Sequence, residues 1–467
     1  MRKLVIYVAV LLAGVGIFSP QASAQDREAE RIYTVIVDRF LNGDDSNDVN
    51  VTEDKSEALP FGGDFVGIEN NLEYIQEMGF NTVMLSPVFE KADDDYLGYD
   101  VESYEEIAAS FGGGEALENL IDAAHARGMK IIVDMPVIVV DGYEVLDTPV
   151  LSDIQQSYYD TTDVQFIDLT DIDNQAQYQE MAQTFVDEYN VDGLSMNVIQ
   201  SDIDAQRFMP EGVETYAIIE GENVTVEGFD HTTDPALRNA IIEAFSTVDT
   251  EIPEYPTEDI LLLADHWFTE RFTIHAVEAN MFPGTRISQL ITYLYGYPGA
   301  IAFQYGTEVA FNGSDFPEIH PQMDLWTDKE VVDHIVALNE VFSKYPQLYN
   351  GEREVIKNAE GHYVQRYRTS DVDFILNIND SSVTKSVDVP IEAEDEGKML
   401  SGLLIGDLLR SSDTEGDAFY AILDREETEL YAIVEETGFN NGYLYAGLLI
   451  FGGFGIFIWF VAKRRKR

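Results

Sequence analysis

Between Arg31 and about Tyr349, short apolar or β-branched runs alternate with longer stretches whose apolar residues recur at helical spacing. Short apolar runs suit strands buried on both faces, and the amphipathic stretches suit helices laid over them, which is the rhythm of a parallel β/α fold. The pattern predicts strands at Tyr33 to Val37, Thr82 to Leu85, Lys130 to Val133, Gly193 to Val198, Tyr216 to Ile219, Val226 to Phe229, Phe272 to Val277 and Ala300 to Gln304. Helices are predicted between them, among others at Glu115 to Arg127, Gln177 to Glu188, Pro235 to Ala244 and Glu330 to Phe342. Eight strands favour a closed (β/α)8 TIM barrel over an open sheet. The connection after the third strand is long, and the stretch at about 140–165 is expected to form a short inserted loop domain on the rim.

Beyond Tyr349 the period changes to two, as in Tyr363 to Tyr367 and Asp373 to Ile378, with the turn Asn379-Asp380-Ser381-Ser382 between runs. That alternation predicts a C-terminal antiparallel β-sandwich over 350–435, following a barrel over 25–349. The chain starts Met1-Arg2-Lys3, continues with an apolar run from Leu4 to Phe18, and reaches Ala22-Ser23-Ala24, the layout of a signal peptide over 1–24. Gly442 to Ala462 carries no charge and abuts Lys463-Arg464-Arg465-Lys466-Arg467. This predicts a single C-terminal transmembrane helix over 442–462 with a cytoplasmic basic tail over 463–467. The expected placement is a single pass through the cell membrane with the N-terminal ectodomain outside.

Charge narrows the partners. The sequence has 86 Asp plus Glu against 28 Lys plus Arg, a formal charge of −58, so a nucleic-acid backbone is excluded as a ligand on Coulombic grounds. Such a surface suits a medium that screens self-repulsion, or an alkaline one. There is no cysteine, which removes disulfides and thiolate metal sites. The histidines show no metal-ligand spacing.

Several segments carry recognisable chemistry. Val37-Asp38-Arg39-Phe40-Leu41-Asn42-Gly43-Asp44 is followed by Gly62-Gly63-Asp64-Phe65-Val66-Gly67-Ile68, then by Leu97-Gly98-Tyr99-Asp100 and Gly128-Met129-Lys130-Ile131-Ile132-Val133-Asp134. Tyr189-Asn190-Val191-Asp192-Gly193 and Tyr305-Gly306-Thr307-Glu308 come later. In this order the segments resemble the α-amylase family of glycoside hydrolases, family 13, and the resemblance runs from about Arg31 to Glu435. It implies an α-glucan or maltooligosaccharide as ligand.

Retaining hydrolysis of an α-glucoside needs one carboxylate to attack the anomeric carbon and one carboxylic acid to protonate the leaving oxygen. The family's fourth-strand motif GFRxD reads Gly193-Leu194-Ser195-Met196-Asn197 here, so the nucleophile position holds Asn197, and a neutral amide forms no glycosyl ester. The acid/base position matches Glu222 in Ile219-Glu220-Gly221-Glu222, with Glu220 as the competitor under a shifted alignment. The NHD motif after the seventh strand is matched to Ala279-Asn280-Met281. DVVxNH retains only Asp134, and the histidine of HGYD is Leu97. Tyr99 falls where the family stacks a sugar ring, so Tyr99 and Asp134 are the expected substrate-binding residues.

The resemblance also implies a Ca2+ site in the loop after the first strand. Asn42, Asp44, Asn47, Asp48 and Asp64 would supply side-chain oxygens and Gly62 its carbonyl, a hard donor set suited to calcium. The reading that results is a membrane-anchored pseudoenzyme that binds α-glucan or a membrane-protein partner. One rival is an active α-amylase or cyclomaltodextrinase type of hydrolase with Glu222 as general acid and Asp134 or Glu278 as base. The other is a transporter-associated interaction module.

Overall fold

A computed structural model of the chain describes residues 29–464 apart from 53–57, 222, 258, 327–328, 411–417 and 437–440. Eight parallel strands form one sheet in the order six, five, four, three, two, one, eight, seven. They are Arg31–Val35, Thr82–Leu85, Lys130–Asp134, Gly193–Val198, Glu214–Ile219, His231–Thr232, Leu262–Leu263 and Ile301–Gln304. A parallel bridge between Thr232 and Ile260, with the Leu261 N–H donating to the Thr232 carbonyl at 2.9 Å, closes the ring between strands six and seven. The N-terminal end of the barrel is tied by Lys130, whose ammonium lies 3.0 Å from Glu30 and 2.9 Å from Glu214.

Two strands lie elsewhere than expected. Val226–Glu227 leaves the barrel and pairs with Ile203–Asp204, and the sixth strand is the two-residue His231–Thr232. The expected seventh strand is a helix, Phe272–Glu278, whose buried residues Phe272, Thr273 and Ala276 fall at helical rather than alternating spacing. The true seventh strand, Leu262–Leu263, sits ten residues earlier and is only 2 residues long. The insert after the third strand folds around the helix Asp153–Tyr159, opened by a capping box between Ser152 and Gln155.

The C-terminal part is a six-stranded antiparallel sheet faced by a second pair of strands, Lys385–Pro390 and Ala418–Leu423. Their alternation buries Val387, Val389, Phe419 and Ala421 against Val364, Ile375, Tyr431 and Ile433 and leaves Tyr420 and Ile422 outside. The sandwich is joined to the barrel through polar contacts as well as packing. Arg286, fully buried, pairs with Asp380 and Glu426, and the Tyr367 hydroxyl donates to the Gly296 carbonyl at 2.8 Å.

The C-terminal segment differs from expectation. A helix does run from Asn441 to Arg464, and it carries Gly447, Gly452, Gly453 and Gly455 within its apolar stretch. Among the described residues no helix is long and apolar enough to cross a membrane. The transmembrane helix over 442–462 is corrected on this ground, and with it the single-pass placement at a cell membrane and the membrane-dependent partners that required it. The signal peptide over 1–24 lies outside the described residues.

Candidate active site at the barrel mouth

The third strand ends on Asp134, which lies beside Ser195 of the fourth strand, and Asn197 follows two residues on and shares that face. The three side chains meet. Ser195 donates its hydroxyl to Asp134 Oδ1 at 2.7 Å, and the Asn197 amide nitrogen lies 3.3 Å from both carboxylate oxygens. Tyr99, carried on the loop after the second strand, donates to Asp134 Oδ2 at 2.6 Å and accepts from the Asn197 amide at 2.6 Å. Burial pushes the Asp134 carboxyl up to about 6 against the pull of these donors, and burial next to Asp134 raises the Tyr99 phenol far above its ordinary range.

The cluster explains why two substitutions go together. A carboxylate at position 197 would face Asp134 inside the barrel and would need the cation that the family's motif supplies at position 195. With Ser195 and Asn197 both neutral, each instead donates to the one remaining charge.

The corrected seventh strand moves the NHD position. Leu262–Leu263 is followed by Ala264, Asp265, His266 and Trp267, so the motif's place is Asp265-His266-Trp267 and not Ala279-Asn280-Met281, which lies at the end of the helix Phe272–Glu278. Sequence matching missed these residues because Trp267 replaces the motif's last acid. The available signal was the apolar run Leu261-Leu262-Leu263 leading directly into Asp265-His266. Asp265 accepts from Thr307 at 3.0 Å and lies 3.8 Å from Arg271. His266 is buried, which lowers its pKa well below the usual imidazole range, so it is neutral.

Trp267 is fully buried and donates its indole N–H to the Tyr99 hydroxyl at 2.9 Å. Phe268 packs on Tyr99 with ring centroids 5.1 Å apart, and Tyr158 and Tyr159 from the insert close in at 6.2 and 6.3 Å. Tyr99 retains 2% and Asn197 4% of its exposure, so aromatic rings fill the volume above Asn197.

Glu222 lies outside the described residues. Glu220 stands immediately after the fifth strand, buried, and paired with Arg238; burial raises its pKa and Arg238 opposes the rise. Its Oε1 has no hydrogen-bond partner, and Glu220 borders a cavity of about 710 Å3 shared with Asp153, Arg238, Phe268, Glu270 and His275. The open space at the mouth is therefore beside Glu220 rather than over Asn197. Glu278 lies on the helix Phe272–Glu278, exposed.

The expected calcium residues are drawn together. Asp64 is fully buried, and its carboxylate accepts from the backbone N–H groups of Gly43 at 2.9 Å, Asp44 at 2.8 Å and Gly67 at 2.6 Å, with the Asn47 amide at 3.3 Å. Asn42 donates to Asp48 at 2.8 Å, and both crowd Gly62, where an added Cβ would lie 2.6 Å from Asp48 Oδ1. Asn47 Oδ1 is buried without a partner. Among the described residues no group of three or more His, Cys, Asp or Glu is placed to hold a metal, so any ion here depends on amide and carbonyl oxygens too.

Barrel, rim insert, mouth residues and C-terminal sandwich define a β/α-barrel protein built like a glycoside hydrolase. The model of the α-amylase catalytic domain matches residues 32–140, and that of the α-amylase C-terminal domain matches residues 351–431. The chain is similar to a β/α-amylase of Paenibacillus polymyxa, 24% identical over 434 residues that cover 78% of this chain and 34% of that protein. It therefore spans about a third of the length of that relative. Its fold matches the crystal structure of an Anoxybacillus α-amylase with a TM-score of 0.75 and 27% identity, covering 88% of this chain and 98% of the other. It also matches a Geobacillus thermoleovorans α-amylase solved with acarbose, with a TM-score of 0.72, 24% identity and coverage of 87% and 99%. The chain belongs to the α-amylase family of glycoside hydrolases.

Proposed function

We propose that this chain is an α-glucan-directed member of the family whose retaining hydrolysis at the barrel mouth is impaired. One observation carries the reading: the Asn197 amide donates to Asp134 beneath Trp267 and the tyrosines, where the reaction needs a carboxylate facing the anomeric carbon. Without an anionic nucleophile no glycosyl ester forms, and with rings above it no sugar reaches that point. The ligand class rests on the family and on the acarbose complex of a structural relative.

A second reading has its own support. The similar proteins are named for amylase activity, and Glu220 is a buried carboxyl bordering an open cavity, the environment of a general acid. Under this reading the chain turns over α-glucan with Glu220 as acid and a second carboxylate from the cavity wall. Assay of the full chain on soluble starch, maltodextrins and cyclodextrins separates the two, since only the second predicts product that Glu220→Gln abolishes.

Calcium is a further part of the proposal. Asn42, Asp44, Asn47, Asp48 and Asp64 with the Gly62 carbonyl would hold the ion, and the unpartnered Asn47 Oδ1 supports this. The ion would neutralise the crowded acids of the loop and fix it against the first strand.

A further inference from the structure

At the opposite end of the barrel lies a cavity of about 530 Å3 whose charge is the reverse of the chain's. Its walls come from the start of the first strand, the turn before the second, the turn before the third, and the segment from Asn339 to Asn350. Among the described residues no Asp or Glu lines it, in a chain with 86 of them, whereas Arg31 and Arg127 both do.

Arg31 is the informative residue. The other buried arginines each have a carboxylate: Arg39 has Asp38 at 2.9 Å, Arg271 has Asp265 at 3.8 Å, Arg286 has Asp380 at 2.5 Å and Arg366 has Asp373 at 2.6 Å. Arg31, at 5% exposure, has no carboxylate within 4.0 Å among the described residues. Its guanidinium lies over the rings of Tyr295 and Tyr349, 4.3 and 4.9 Å from their centroids, and donates to the Tyr349 hydroxyl, but its Nε is buried with no partner. Its chain neighbour Glu30 is turned away, engaged with Lys130 and Tyr216.

A buried guanidinium without a counter-charge is costly, and a second one on the same cavity adds repulsion. Arg127 is exposed, and its guanidinium donates to the Ala123 carbonyl at 3.1 Å. Asn339 and Asn350 complete the wall; the Asn339 carbonyl oxygen accepts from Ser343, which leaves its amide N–H groups for a ligand. Among the described residues, both charged groups of the cavity are thus donors with no ion-pair partner.

We propose that this cavity binds an oxyanion, the phosphate or carboxylate group of a small hydroxylated molecule, between Arg31 and Arg127. Guanidinium groups match such anions in geometry and do not lose their charge. The cavity volume exceeds that of an inorganic ion and leaves room for a sugar-sized remainder. The site is independent of the barrel mouth and of whether α-glucan is hydrolysed there.

The test is titration calorimetry of the full chain with inorganic phosphate, and separately with a hexose phosphate, in a chloride buffer of fixed ionic strength. The proposal predicts saturable binding at one site, weakened about tenfold or more by Arg127→Gln, a surface change that leaves the core intact, and abolished by Arg31→Met. Tighter binding of the hexose phosphate would assign the rest of the cavity to the sugar, and equal binding would assign the oxyanion alone. Absence of saturable binding by the unaltered chain, or binding that Arg127→Gln leaves unchanged, overturns the proposal.

Discussion

Trp267 donates its indole N–H to the Tyr99 hydroxyl at 2.9 Å, and that hydroxyl in turn donates to Asp134. The pair fills the space over Asn197 with a packed aromatic plug, while the open cavity of the mouth lies to the side, at Glu220. Trp267 stands where the resemblance places a motif acid, and the hydrogen bond ties it to Tyr99, the residue that the resemblance matches to a sugar-stacking position.

If the plug is structural, removing the ring must cost what a core cavity costs. Trp267→Ala is expected to lower unfolding free energy by about 3–5 kcal/mol. Trp267→Phe keeps most of the volume but leaves the Tyr99 hydroxyl without that donor, for a loss of about 1–2 kcal/mol. Urea denaturation of the two variants checks the order, and equal, negligible losses would show that the ring is not packed as described.

A carboxylate at position 197 alone is expected to harm the protein. Asn197→Asp places a carboxylate beside buried Asp134 with Ser195 where a cation is required, at a cost of about 3 kcal/mol. The double variant Asn197→Asp with Ser195→Arg should recover part of that loss. Thermal melts of the single and double variants at neutral pH provide the comparison; a single variant as stable as the parent would remove the argument that the two substitutions compensate.

Asp134 also makes a pH signature. Its carboxyl is raised from 3.8 to about 6 in the folded chain, so between those values the folded state holds a proton that the unfolded state has released. Stability from this group is complete below pH ~4 and is lost as pH rises through ~6, by roughly 3 kcal/mol in all. Subtracting the stability curve of Asp134→Asn from that of the parent isolates it from other buried acids such as Asp265 and Glu308, whose pKa values burial also raises. A flat difference between pH 4 and 6 would mean that the carboxyl is not held this way.

What the sequence disclosed follows the length of each run. Strands one to five and eight are buried over four or more residues, and their apolar stretches were visible. Strands six and seven are two residues each, too short to display a period, so the apolar pattern points instead to Val226 to Phe229 and to the helical Phe272 to Val277. That displacement carried the NHD position with it and hid Trp267. That positions 195 and 197 hold neutral residues is readable directly from the sequence. The contacts that make sense of it are not, since Tyr99, Asp134 and Trp267 meet only across the closed barrel. In the sandwich, alternation at Val387, Val389, Phe419 and Ala421 sits in plain two-residue period, which is why that fold class was legible.

The loop after the first strand offers a metal-removal test. If an ion is held by Asn42, Asp44, Asn47, Asp48, Gly62 and Asp64, excess chelator should lower the melting temperature by several degrees, ~4 °C or more, and added Ca2+ should restore it. Asp48→Asn should blunt that response while leaving the hydrogen bonds to Asp64 in place. A melting temperature indifferent to both chelator and Ca2+ argues for a loop held by Asp64 alone.

The most direct test of the central claim is turnover of a defined maltooligosaccharide. Maltoheptaose incubated with the purified full chain, with and without Glu220→Gln, and followed by mass spectrometry over a range of salt and pH, should remain intact in both samples. Shorter oligosaccharides formed by the parent and not by Glu220→Gln would contradict the account and restore hydrolysis as the activity of this barrel.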